Sequence, residues 1–152
     1  MRMSNSLVNG VFGSTSTFGS SGGTGIASFS ETMYVPNLFN PTFSGFTSSN
    51  TGVTVSKSAG FTISINVDNS NTFDNLIFIR DLNSPTNVLE MYIPYNASSK
   101  TFSSGDLSQF GLRSKLDFAI ARGNVKYFNH NGIDVQIRAG VIQHCTTFEL
   151  VP

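Results

Sequence analysis

From about residue 53 to the C-terminus, apolar and polar positions alternate in short bursts. In Phe61-Thr62-Ile63-Ser64-Ile65-Asn66-Val67 the odd positions are apolar and the even ones polar, the two-residue period of a strand with one face on a core and the other in water. Asn75 to Arg80 departs from that alternation. Leu76, Ile77, Phe78 and Ile79 are consecutive and apolar on both faces, so this strand is expected to lie deeper than its neighbours. The turn-forming run Asn83-Ser84-Pro85-Thr86-Asn87 leads to a strand over Val88 to Ile93. Leu116, Phe118 and Ile120 share one face of the next. Val125 to Phe128 and then Ile133, Val135 and Ile137 flank Asn129-His130-Asn131-Gly132, a hairpin whose Asn-Gly pair supplies the positive φ angles a tight turn needs. Val141 to Val151 adds a last strand or two, with a break expected near Gly140. Asp106 to Phe110 is the one candidate helical turn, with Asp106 able to cap it. Eight to ten short strands joined by Gly, Asn, Ser and Pro turns predict an all-β fold, a two-sheet antiparallel sandwich of jelly-roll or Ig-like type.

The first 56 residues read differently. Half of them are Ser, Thr or Gly, and their only charges are Arg2 and Glu31. Strands are expected there only near Met33 to Val35 and Val53 to Val55. Such a chain loses much backbone entropy on ordering, yet large apolar groups recur through it. The expected organisation is an extended, charge-poor N-terminal arm over 1–56 and a β-sandwich body over 57–152. Phe12, Phe18, Phe29, Leu38, Phe39, Phe43 and Phe46 are the candidate subunit contacts, each able to plug a pocket on the body or on a neighbouring copy.

Composition sharpens this picture. Of 152 residues, 12% are charged and the formal net charge is zero, against roughly 25% charged in a typical soluble chain. Ser, Thr, Asn and Gly supply 65 positions, beside fourteen Phe and no Trp. A neutral chain does not bind nucleic acid by electrostatics, and a charge-poor surface tends to associate. The mild basic bias from Arg113 to Arg138 falls on strands whose side chains point both ways, so it reads as dispersed surface charge. No apolar run approaches the ~20 residues of a membrane span. Behind Arg2 the residues Val8, Val11 and Phe12 are interrupted by Asn9 and Gly10, which is not a secretory signal.

Chemistry is scarce. Cys145 has no second cysteine to pair with and reads as a small buried hydrophobe. His144 precedes it on the same strand, so the two side chains point to opposite faces and form no dyad. His130 sits in the Asn-Gly hairpin as a polar turn residue. The run Asp68-Asn69-Ser70-Asn71-Thr72-Phe73-Asp74 offers alternate oxygen ligands for calcium, but Phe73 stands where a sharp turn would need Gly and no Glu closes the loop. Gly19 to Gly25 is glycine-rich without the Lys and following helix of a phosphate cradle. The sequence therefore predicts no enzyme, no cofactor and no metal.

Two functions fit. The first is a structural protein of a symmetric assembly, best matched by a capsid or other virion component made in a host cytoplasm, whose arm docks on neighbouring subunits. Interface cores are depleted of charge and enriched in aromatics, as this chain is throughout. The second is a carbohydrate- or receptor-binding β-sandwich module, lectin- or adhesin-like, presenting Tyr92, Tyr95 and Asn96. The expected partners are copies of the chain and other subunits, with a glycan or receptor in the second case.

Overall fold

The computed structural model describes residues 10–25 and 27–152. The stretch holding Arg2 and Val8, on which the reading of the N-terminus partly rests, lies outside the described residues. Eleven strands occur among those described: β1 (Ser14–Ser20), β2 (Phe29–Val35), β3 (Thr42–Ser44), β4 (Phe46–Ser49), β5 (Gly52–Ser56), β6 (Phe61–Ser64), β7 (Asn75–Asp81), β8 (Val88–Ile93), β9 (Ser99–Phe102), β10 (Lys115–His130) and β11 (Ile133–Val151). The protein is all-β, with a six-stranded sheet in the order β4-β5-β11-β10-β7-β8, a three-stranded sheet β3-β6-β9 and a separate β1-β2 pair. All pairings are antiparallel except β5 with β11.

The long β10–β11 hairpin is the spine of the molecule. Its turn is two residues, Asn131 and Gly132, at φ 51° and 81°, the left-handed region that Asn and Gly reach most easily. Asn129 locks the turn: its Oδ1 accepts the Gly132 N–H at 3.0 Å and its Nδ2 donates to Asp134 at 2.8 Å. The strands thus run two residues further on the β10 side than the sequence suggests. β11 also passes unbroken through Gly140. The irregularity lies at Cys145, where the register shifts between Phe118 and Ala119, as expected of an extra residue bulged into one strand.

One apolar core joins the two larger sheets. Phe61, Ile63 and Phe102 of the three-stranded sheet meet Ile77, Phe118 and Leu150 of the six-stranded sheet in a single buried cluster. The Phe61 ring stacks on Phe102 at 4.7 Å, and Phe118 meets both edge-on at 6.0 Å. Residues 103–110 form tight turns in place of the expected helical turn, and they add Leu107 and Phe110 to the same core. Asp106 is not the cap: Ser103 Oγ accepts the Asp106 N–H at 3.3 Å, and the Asp106 carboxylate reaches back to accept the Ser103 N–H at 2.8 Å and hydroxyl at 2.7 Å. Those hydrogen bonds hold its carboxyl below the ordinary range.

The structure revises the boundary expected at residue 56. β1 to β5 all lie before it, and β3, β4 and β5 belong to the two main sheets. Three of the candidate subunit contacts are internal. Phe39 is 6% exposed in the core. Phe43 stacks on Phe46 at 4.8 Å, and Phe46 packs on Phe61 and Phe148, each at 5.1 Å. The strands were masked by composition: Thr is a good strand former although it counts as polar. Three- to five-residue strands are also too short to show a period.

A buried polar cluster ties the N-terminal hairpin to the spine. Arg122 on β10 is 2% exposed. Its Nε donates to Asn75 Oδ1 at 2.9 Å, its terminal nitrogens donate to the carbonyls of Asn37 (3.3 Å) and Asn66 (2.7 Å), and its guanidinium lies 4.2 Å from the centre of the Phe39 ring. Burial lowers the Arg122 pKa, while the charge of Asp68 opposes that shift. Asp68 in turn accepts from the Tyr34 hydroxyl, the Asn37 N–H and the Ser70 N–H. Burial, together with this hydrogen bond, raises the Tyr34 phenol. Further along, Asn124 donates to the Tyr34 carbonyl, Lys126 pairs with Glu31 at 2.7 Å, and Phe29 packs on Phe128 at 5.5 Å.

Candidate functional site

Side-chain alternation divides the six-stranded sheet into two faces. On β10 the even positions, Phe118, Ile120, Arg122, Asn124, Lys126 and Phe128, face the core and the β1–β2 hairpin. The odd positions, with their cross-strand partners, make the outer face. Register assembles that outer face row by row. Glu90, Phe78, Ala119 and His144 align across β8, β7, β10 and β11, and Tyr92, Leu76, Ala121 and Ile142 form the next row. Beyond them Gly123 faces Gly140, and Val125 faces Arg138.

The second sheet and the β1–β2 hairpin pack on the opposite, inner face, so this surface is left uncovered within the described chain. Tyr92 and Ile142 are each 66% exposed and Tyr127 is 71% exposed. The Gly123–Gly140 pair leaves a trough in the surface, lined by Phe73, Leu76, Tyr92, Val125, Arg138 and Ile142. Gly140 is required there: a Cβ would come within 2.5 Å of the Arg122 carbonyl oxygen and 2.9 Å of Gly123 Cα. Charges gather toward one end, where Asp117 accepts from Arg80 at 3.1 Å and lies 3.3 Å from His144 Nδ1. A contiguous exposed apolar surface bordered by charge marks an interaction site.

Comparison with protein-family models, with curated proteins and with solved structures gives no match.

The residues weighed for chemistry are held apart. Cys145 is half-buried, its thiol donates to the Gln143 carbonyl at 3.4 Å, and burial pushes its pKa up to about 11. His144 lies on the outer face, away from that thiol. Among the described residues, no three of His, Cys, Asp and Glu gather into a metal-ligating group. Asp68 is engaged by Tyr34, Asn37 and Ser70, and Asp74 accepts the Tyr95 N–H, so the Asp68–Asp74 run does not converge on one point. The basic residues are dispersed, Arg122 inward, Arg113 on Glu149 and Lys126 on Glu31. Of the remaining candidate contacts, Phe12 and Phe18 are half-buried and Leu38 is 38% exposed. No helix among the described residues is long and apolar enough to cross a membrane.

Sequence reasoning did not single out the outer face as a site. The signal for it was nonetheless present: β7 is apolar at every position from Leu76 to Ile79, yet among the described residues only Ile77 and Ile79 of that run are fully buried.

Proposed function

We propose that this chain is a non-enzymatic structural subunit of a symmetric assembly, best matched by a capsid or other virion component. Copies meet through the outer face of the six-stranded sheet. One observation carries the reading: β7 has the composition of a strand covered on both sides, while the described residues cover one. The scarcity of charge agrees with burial in subunit contacts. The virion setting rests on analogy with small β subunits, and so does the reading of the two sheets sharing a core as halves of a jelly-roll or Ig-like sandwich. Contacts are assigned to the sheet face, because Phe39, Phe43 and Phe46 are used inside the subunit.

The test is size-exclusion chromatography with light scattering on the full chain and on Ile142→Asp. The wild type is expected to form a defined oligomer or larger particles, and Ile142→Asp, altered at an exposed position, to shift toward monomer with its β-sheet circular dichroism intact. Exposure of Tyr92 and Tyr95 favours a second reading, a glycan-binding module. Monomeric wild type that binds a glycan array would establish that reading and end the first.

A further inference from the structure

We infer that the outer face is covered by a second copy of this chain, related by a two-fold axis lying between the two facing sheets, with Arg138 of each copy against Glu90 of the other. This rests on the assembly reading above and specifies its contact. Charge supplies the first argument. Glu90 and Arg138 stand on opposite sides of the apolar rows, at the β8 and β11 margins of the same face. Both are exposed, and neither has an ion-pair partner among the described residues. Beside the Arg80–Asp117 pair and Asp74 at the rim of the trough, these two opposite charges flank the apolar strip, so a two-fold can set each against its opposite on the other copy, as an isologous contact requires.

Shape supplies the second. Neighbouring strands lie about 4.8 Å apart and same-face residues along a strand about 6.8 Å apart. On that lattice Arg138 and Glu90 are separated by three strands and three rows, about 25 Å. The axis that exchanges them runs obliquely across the strands, crossing midway between β7 and β10 and passing close to Ala121 and Ile142. Ile142 of one copy then meets Ile142 of the other. The same rotation lays Leu76 over Gly123 and Phe78 beside Gly140, so the bulk on β7 enters the trough left by the two glycines. Tyr92 falls on β10 near Val125. Charge pairing and shape are satisfied by one operation chosen for the charges alone.

Charge reversal tests the pairing, read by sedimentation velocity with circular dichroism as the check on folding. Glu90→Arg alone and Arg138→Glu alone each place like charges at both contacts, and each should weaken self-association on the order of tenfold or more. Mixed in equal amounts, the two variants should recover wild-type affinity as a heterodimer, because both contacts again join Arg to Glu; the double variant should recover it as a homodimer. If both single variants associate as the wild type does, copies meet elsewhere and this inference fails while the assembly reading stands. If the single variants weaken association but neither the mixture nor the double variant restores it, the pairing is wrong. A wild type that stays monomeric at every concentration overturns both.

Discussion

Two residues show what a buried position asks of its side chain. Arg122 sits among three acceptors and an aromatic ring, and its charge is balanced by Asp68 nearby. Replacing it by Met keeps much of the volume but leaves the Asn75 oxygen and the carbonyls of Asn37 and Asn66 without this donor. Breaking a buried charged network from one side typically costs 3–5 kcal/mol, so Arg122→Met is expected to lose about that much stability in urea unfolding. A loss under 1 kcal/mol would mean the cluster is not needed. Cys145 makes the opposite point, that a nucleophile type can be silenced by its place. With its pKa raised from 9.0 to about 11, the folded state favours the protonated thiol. That contribution to stability is complete below the unfolded value and is lost as pH rises through about 11. Native protein at pH 8 is expected to react with a thiol reagent far more slowly than unfolded protein. Equal rates would place the thiol in solvent.

Among the elements, the β10–β11 hairpin was the most legible in sequence and the N-terminal strands the least. Asn131-Gly132 between two alternating runs named its own turn, because few residues tolerate those φ angles. Gly132→Ala is therefore expected to cost about 1 kcal/mol, measured as a lower urea midpoint with an unchanged slope. No loss would show that the turn can adopt another type. The strand lengths were less visible. Asn129 and His130 continue β10 because β11 supplies backbone partners there, not because their side chains continue the apolar run. Gly140 looked like a break for the same reason. Its lack of a side chain is a requirement of close approach to Gly123 and Arg122, which depends on the partner strand and cannot be read from β11 alone.

For the whole molecule, the decisive difference concerns the first 56 residues. As an arm, they could be removed and leave a folded body. In the structure they supply β3, β4 and β5, and with them Phe39 and Val55 of the core. A chain beginning at residue 57 is expected to give a disordered circular dichroism spectrum or to aggregate; a folded, monomeric product would restore the arm. The all-β class and the β10–β11 hairpin were legible in sequence, because alternation and turn chemistry are local properties. Which apolar residues face inward was not. Phe43 and Leu76 are alike in sequence, each a large apolar side chain on a strand, yet Phe43 is packed against the core and Leu76 borders an open trough. The difference lies in which strand crosses which face of the sheet, a matter of long-range pairing that only the tertiary structure decides.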